Sequence, residues 1–389
     1  MVPRLRFPFF NDQWIIKRLD ELAKIERGKF SPRPRNNPIY YDGHIPFVQT
    51  SDVVKSKGRI NSFSQTLNDS GLAVSKLFKK GSILITIAAN IGYSGVLEKD
   101  MACPDSLIGM TCFENIYNFF LQLLLEIEQP RMDNLATAAA QKNINIDFLK
   151  PYKLIIPGLV EQQKIASFLS SVDKKISHLE KKKTLLETYK RGIMQKIFSQ
   201  ELRFKDENGQ EFPDWERVRI DSVSECLDNK RKPLNSNQRS KMQGDIPYYG
   251  ANGVVDYVND FIFNEDLVLL AEDGGHFDEF LTRPIAQIIS GKSWVNNHAH
   301  ILRANSLISI DFLYYSLVHK DIRKYIVGGG RAKLNKSDLL SIIISLPKLN
   351  EQKKIASFLS SIDKKIEITS TQLEMTREFK KGLLQQMFV

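Results

Sequence analysis

Apolar residues in the middle of the chain fall at Ile165, Leu169, Val172, Ile176, Leu179, Leu186, Ile193 and Ile197. Steps of four and three alternate, with Lys183 and Lys190 standing at two seam positions. This spacing predicts a long helix with a coiled-coil seam. The same frame returns at Ile355, Leu359, Ile362, Ile366, Leu373, Leu383 and Met387, with Thr369, Thr376 and Lys380 as polar members. Pro157 and Pro347 stand just ahead of the two helices, and Asn350 is the expected N-cap of the second. At ~1.5 Å per residue each helix spans about 57 Å. Neither buries its seam alone, so the two are expected to pack on each other about a local two-fold axis. Gly192 and Gly382 occupy the same place in both helices: either another backbone approaches closely there, or the pair is an inherited surface feature.

The helices are copies of one another. Glu161–Phe198 and Glu351–Phe388 align at an offset of 190 without a gap, and 14 of the first 16 positions are identical (EQQKIASFLSSVDKKI against EQKKIASFLSSIDKKI). Upstream, Pro157 and Pro347, and Asn145 and Asn335, keep that offset, whereas Trp14 matches Trp215 and Gly43–Phe47 (GHIPF) matches Gly244–Tyr248 (GDIPY) at 201. Between these anchors the second copy is 11 residues shorter. A whole half is therefore duplicated. One part is nearly copied and the other has diverged, as expected of a shared scaffold carrying two different readers.

The diverged parts mix short β-rich runs, such as Ser82–Ala88 and Asp266–Leu270, with helical stretches at Phe119–Ile127 and Phe312–Val318. Each reads as an α+β domain. The expected organisation is a recognition domain at residues 1–158, a helix at 159–200, a second recognition domain at 201–348 and a second helix at 349–389. Apolar stretches such as Leu121–Leu125 and Ile342–Ile344 are too short to cross a bilayer, so no membrane association is expected. Met1–Asn11 holds no apolar run of signal-peptide length. Cys103, Cys112 and Cys226 form no CxxC pair, and no metal site is expected. A reducing, cytoplasmic compartment fits.

The net charge of +10 favours an anionic partner, nucleic acid first. It is unevenly spread, with net +5 on residues 1–160, +5 on 161–200, −2 on 201–350 and +2 on 351–389. The second diverged part is thus not basic overall, yet Asn229–Lys241 carries Lys230, Arg231, Lys232, Arg239 and Lys241 without an acid. Arg27–Arg35 is its counterpart, with Arg27, Lys29, Arg33 and Arg35. These clusters begin 13 and 15 residues after the matching tryptophans. Two basic, proline-containing loops in matching places are candidates for phosphate contacts, against the alternative of two solvated loops.

Motifs for catalysis fail on inspection. Ala286–Ser293 (AQIISGKS) loosely matches a phosphate loop, but Trp294 and Val295 follow as extended chain where a helix is required. Asn37-Pro-Ile-Tyr40 resembles the Asn-Pro-Pro-Tyr element of adenine methyltransferases, but no glycine-rich cofactor loop precedes it. His298 and His300 alternate as on one face of a strand, a spacing that can hold a metal with His276 as a third group, but packing or hydrogen-bonding roles are the favoured reading. Glu272 and Asp273 beside two glycines read as turn residues, or as acceptors for a cytosine amino group.

Taken together, the paired helix openings with Gly43–Thr50, Ile85–Gly92, Ala140–Asn145, Tyr248–Gly253, Trp294–His300 and Arg331–Asn335 resemble the specificity subunit of type I restriction–modification enzymes over nearly the full length. The resemblance implies two target-recognition domains, each reading half of a split, asymmetric site on double-stranded DNA. It implies two conserved helices packed as an antiparallel coiled coil with internal pseudo-two-fold symmetry, acting as a ruler. It further implies docking of two methyltransferase (modification) subunits and of restriction subunits. S-adenosylmethionine, ATP and Mg would belong to those partners, and this chain would bind no cofactor and hold no catalytic residue. The family does not say which loop residues read bases. Candidates by residue type are Gln49, Thr50 and Asn90 in the first domain and Tyr248, Asn252, Lys292 and Asn297 in the second, although turn-making roles suit Asn90 and Asn252 as well. A self-contained methyltransferase or nuclease, and a coiled-coil adaptor without a DNA role, are the alternatives.

Overall fold

The structure, a computed structural model, describes residues 2–88, 90–137, 143–328 and 332–388. Ala89, Ala140–Lys142 and Arg331, which belong to three of the motifs above, lie outside the described residues. The chain divides into two compact units, Met1–Leu179 with Gln372–Val389, and Glu180–Thr371. Each unit thus holds one diverged segment, the start of one long helix and the end of the other.

In the first unit the apolar run at 82–88 becomes the fully buried strand Ile83–Thr86. It is central in a five-stranded sheet ordered Ala23–Arg27, Leu107–Cys112, Ile83–Thr86, Ser94–Leu97 and Arg59–Ile60. A four-stranded sheet runs Gln65–Leu67, Tyr41–Phe47, Met101–Cys103 and Lys76–Phe78. Its middle pair is parallel, Phe47 opposite Ala102. The predicted helical stretch lies within Asn118–Thr137, whose Phe120, Leu121 and Leu124 share a core with Ile83 and Ile85.

The second unit repeats this plan. One sheet runs Ser224–Cys226, Ala299–Ala304, Leu267–Ala271 and Ala286–Ile289. The other runs Gly253–Val258, Gln243–Gly250, Lys292–Val295 and Phe263–Asn264, again with a parallel pair, Tyr248 opposite Trp294. The matched GHIPF and GDIPY segments are therefore the same strand in two copies of one framework. Between Ile289 and Lys292 the chain turns at Gly291 with φ +71°, so the phosphate-loop look-alike is two strands and a turn.

The long helices span Leu159–Phe198 and Leu349–Met387. The second starts two residues earlier than the capping rule suggested. Its first bond runs from the Gln352 N–H to the Lys348 carbonyl, so Asn350 lies inside the helix and is not its cap. In the first unit Ile165, Leu169 and Val172, with half-buried Ile176, share a core with Leu383, Met387 and Phe388. In the second, Ile355, Leu359, Ile362 and half-buried Ile366 share a core with Met194 and Ile197. Within each unit the start of one helix therefore meets the end of the other, and the two run in opposite directions. The polar seam members set this register. Lys380 reaches Asp173 at 2.8 Å, and Lys190 reaches Asp363 at 2.5 Å, the same pair with its members exchanged by the repeat.

The helix openings are held by buried polar groups. Gln162 accepts from the Tyr117 N–H and donates to the Pro157 and Asn115 carbonyls. Gln352 accepts from the Ser309 N–H and donates to the Pro347 and Leu307 carbonyls. Beside them Glu161 receives both arms of Arg6 at 2.7 Å, and Glu351 receives Arg203 at 3.0 Å and the Trp215 indole N–H at 3.0 Å. Charge and periodicity did not single out these arginines, although a signal for them exists: Leu5-Arg6-Phe7 recurs as Leu202-Arg203-Phe204. Even the backbone repeats, with the Leu5 N–H on the Gln386 carbonyl and the Leu202 N–H on the Lys196 carbonyl.

Trp14 meets Phe120 and Phe388 edge-on, and Trp215 meets Phe312 and Phe198 in the same way, although the Trp14 indole N–H is buried without an acceptor. The paired glycines have open surroundings: a Cβ built at Gly192 or Gly382 meets no atom within 4 Å, so the close-approach alternative is excluded. Gly192→Ala and Gly382→Ala are each expected to raise stability by up to about 1 kcal/mol. Gln352→Leu should lower it by about 2–4 kcal/mol by stranding a buried N–H and two carbonyls. Denaturant unfolding of the full chain measures both effects; an unchanged midpoint for Gln352→Leu would mean that the clamp contributes nothing to stability.

Candidate nucleic-acid interface

The two basic loops leave equivalent strands, Ala23–Arg27 and Ser224–Cys226, at the same end of each sheet framework. In the first unit the loop is pinned at once, because a Cβ on Gly28 would fall 2.1 Å from the Pro104 carbonyl oxygen. Its arginines then tie it down. Arg27 donates to the Asp105 carbonyl at 2.7 Å, Arg35 grips the Asp105 carboxylate at 2.7 and 2.9 Å, and Arg33 donates to the Pro32 carbonyl at 2.8 Å. The Tyr41 hydroxyl donates to the Arg35 carbonyl.

Arg35 lines a groove of about 590 Å³ floored by Phe30, Tyr41 and Phe47 and edged by Gln49 and Gln65. Gln49 donates its side-chain amide to Gln65 at 3.0 Å and sits at the N-cap of the helix Thr50–Lys55. The Thr50 hydroxyl lies 3.4 Å from that of Ser106. Asn90 is exposed, with its carbonyl held by the Thr86 hydroxyl.

The second unit builds the matching tip differently. Arg231 is half-buried and committed: it donates to Glu272 at 2.5 Å and to the Ala299 carbonyl at 2.9 Å, and lies 3.4 Å from Asp228. Asp228 takes His300 Nδ1 at 2.6 Å and the Ile301 N–H at 3.0 Å, while His300 Nε2 faces the Leu334 carbonyl at 2.8 Å. Lys333 closes the network on Glu272 at 3.1 Å. Burial disfavours the charged form of Asp228, but the bond and charge of His300, the Ile301 N–H and the charge of Arg231 together outweigh it and hold the carboxyl below its usual range. Burial likewise works against Glu272, and its bonds from Arg231 and Lys333 bring it below the usual range too.

Arg239 is also committed, to Asp256 at 2.8 Å and the Leu234 carbonyl at 2.7 Å, above the Tyr248 ring. Tyr248 itself is buried, its hydroxyl accepting from the Leu234 N–H, so this ring supports the loop from beneath. Asn252 donates to the Gly274 carbonyl at 2.9 Å, and with exposed Asn297, Arg239 and Tyr248 it lines a groove of about 580 Å³. Lys292 begins the strand whose far end leads to Asn297, and its ammonium sits over Phe261. Of the two histidines, His300 is buried in the network, whereas His298 precedes the strand, half-exposed, with Nδ1 on Asp273 at 2.6 Å.

The five arginines singled out from the sequence thus build the tips. Lys29, Lys230, Lys232 and Lys241 are exposed, and among the described residues their ammonium groups form no hydrogen bond or close ion pair. Across the two units the pairing registers superpose Leu107 opposite Thr86 on Ala299 opposite Ala271. On that framework Ile108 and Ile87, both buried, stand where the second unit has His300 and Glu272. An apolar plug under one tip is a charged network under the other. Among the described residues Cys226, Asp228 and His300 have ligand atoms within 4.8 Å of one another, but both His300 nitrogens are already engaged and Arg231 crowds the same carboxylate. No helix among the described residues is long and apolar enough to cross a membrane.

Comparison with known proteins agrees with this arrangement. The family model for the type I restriction modification DNA specificity domain matches residues 11–188 and again residues 213–375. A putative type I restriction enzyme MjaX specificity subunit of Methanocaldococcus jannaschii is 28% identical over 409 aligned residues, 96% of this chain and 92% of that one. A putative type I restriction enzyme specificity subunit of Haemophilus influenzae is 36% identical over 143 residues, which is 37% of this chain and only 36% of that relative. The crystal structure of a type I restriction–modification S subunit from M. genitalium matches 100% of this chain and 99% of its own, with a TM-score of 0.68 at 19% identity, a likeness of fold. With its two matched segments covering both halves of the duplication, the chain belongs to the type I restriction–modification DNA specificity family.

Proposed function

We propose that this chain is the non-catalytic, sequence-reading subunit of a type I restriction–modification complex and acts in the cytoplasm. Each recognition domain, residues 1–158 and 201–348, reads one half of a bipartite, asymmetric site on double-stranded DNA. The observation that carries this reading is one framework used twice, with matching exposed lysines at its tips and different side chains in the grooves beside them. Lys29 and Lys230 stand at equivalent points just beyond equivalent strands, and Lys232 and Lys241 extend the second cluster. Lysines without a bonded carboxylate suit phosphate contacts, which position a protein without reading sequence. Gln49, Thr50 and Asn90 on one tip, and Asn252 and Asn297 on the other, then offer amide and hydroxyl groups to base edges. Exposed Val254 and Val255 beside Asn252 suit a thymine methyl group.

The long helices serve spacing and docking in this reading. Leu185 and Tyr189 are 59% and 51% exposed, and their repeat counterparts Met375 and Phe379 are 67% and 55% exposed. Four large apolar side chains left in solvent at one duplicated position suit two copies of one partner, the modification subunits. S-adenosylmethionine, ATP and Mg belong to the modification and restriction subunits, and this chain contributes recognition, spacing and docking.

Two outcomes are expected. Alanine at Lys29, Lys230, Lys232 or Lys241 should flatten the slope of log affinity against log salt by about 0.9 for each phosphate that is no longer neutralised, while leaving thermal stability within about 0.5 kcal/mol. Arg231→Ala should instead destabilise the second unit by about 3–5 kcal/mol, because it strands partly buried carboxylates. DNA titrations across salt and denaturant unfolding separate the two, and four unchanged slopes would count against these tips as the DNA face. For docking, Leu185→Asp with Met375→Asp should abolish co-purification of the modification subunits while the isolated chain keeps its unfolding midpoint. Intact stoichiometric complexes would move the docking surface elsewhere.

A further inference from the structure

Resting on the reading of the second unit as a DNA reader, we infer that His298, held by Asp273, is a specificity-determining residue that hydrogen-bonds one base of that unit's half-site through Nε2. His298 stands on the turn 296–298 between the strands Lys292–Val295 and Ala299–Ala304. Its backbone N–H donates to the Asn296 side-chain oxygen at 2.8 Å, which fixes the turn. Its ring is held separately. Nδ1 lies 2.6 Å from Asp273 Oδ1, and the Asp273 side chain is only 15% exposed while that of His298 is 43% exposed. A carboxylate can only accept, so the Nδ1 proton points at Asp273 and Nε2 is the free ring atom.

His298 and Asp273 line the same groove of about 580 Å³ as Asn252 and Asn297. One groove edge is braced, because Asn252 ties its turn to Gly274, next to Asp273, at 2.9 Å. An imidazole fixed in one orientation at a groove rim offers a single directed hydrogen bond, which discriminates bases as a mobile lysine cannot. The same strand carries a contrasting histidine. His300, two residues on, has both nitrogens engaged inside the protein by Asp228 and Leu334 and has no atom left for DNA. In the first unit the matched registers put Ser106 at the His298 position and Ala88 at the Asp273 position, so this directed ring is specific to one reader.

The test maps methylated sites in cells that carry the full chain with its modification subunits, comparing wild type with His298→Ala, His298→Gln and Asp273→Asn. Wild type should give one bipartite consensus. His298→Ala is expected to relax one base pair of one half-site, with a loss of discrimination on the order of 10-fold for a single directed hydrogen bond. The other half-site should keep its full preference. Asp273→Asn, which keeps the shape but loses the charge that orients the ring, should relax the same base pair less. His298→Gln, with a different donor and acceptor pattern, should shift that position's preference. Uniformly weaker methylation with an unchanged consensus makes His298 a phosphate contact and overturns the inference, as does an unchanged consensus at full strength. If the wild-type complex shows no sequence preference, it is the underlying reading that fails, and this inference with it.

Discussion

Each long helix opens on a buried carboxylate, and the attachment of its domain hinges on how that charge is met. Taking Glu161 and Glu351 out of water is expensive unless each finds opposite charge and hydrogen bonds. Arg6 and Arg203 supply them, each arriving from the opening segment of its domain. Gln162 and Gln352, buried beside them, satisfy the loop that leads into the domain's own helix, Asn118–Thr137 or Ile310–Leu317. Helix, leading segment and domain body are therefore joined at one point by groups that cannot be left unpaired. This explains why the opening of the helix is the most faithfully copied part of the chain. The repeated EQ is needed for domain attachment before any partner is considered.

Attachment at the start of one helix is matched by capture of the end of the other. Phe388 packs with Trp14 and Phe120, and Phe198 packs with Trp215 and Phe312. Each unit is complete only with a helix end contributed by the other repeat. The pairs Asp173–Lys380 and Lys190–Asp363 add a register requirement to that closure. Shifting either helix by one residue would replace the aspartate opposite a half-buried lysine by its apolar neighbour, Val172 or Ile362, in one direction and by a like charge, Lys174 or Lys364, in the other. A polar seam residue is thus a specification of register obtained at some cost in burial.

The architecture was largely legible in the sequence because it rests on periodicity and duplication. The seam residues Ile165, Leu169, Ile355 and Leu359 are buried where the spacing put them, and the strands at 83–86 and 267–271 follow their apolar runs. The interface was legible only as composition. Counting cations in Arg27–Arg35 and Asn229–Lys241 located the tips but could not separate arginines that brace loops from lysines that remain free. That distinction depends on acids distant in sequence: Asp105 for Arg35, Glu272 for Arg231 and Asp256 for Arg239. Tyr248 eluded composition for the same reason, since only the sheet pairing shows its ring lying beneath the loop. Asn350 failed as a cap because a backbone bond from Gln352 starts the helix before it.

The contrast beneath the two tips bears on how such readers diverge. Where the first unit fills the base of its tip with Ile87 and Ile108, the second places Glu272 and His300 in a network with Asp228, Arg231 and Lys333. Converting one into the other by single substitutions would pass through an unpaired buried charge, at about 3–5 kcal/mol per step. That is a large fraction of the whole stability of a domain, typically about 5–15 kcal/mol. Surface loops can drift residue by residue, but the support that orients them cannot. A framework with anchors at both ends, the LRF segment and tryptophan before it and the EQ helix opening after it, permits the alternative of replacing everything between. The duplication in this chain has that form: faithful anchors enclosing interiors that have diverged as wholes.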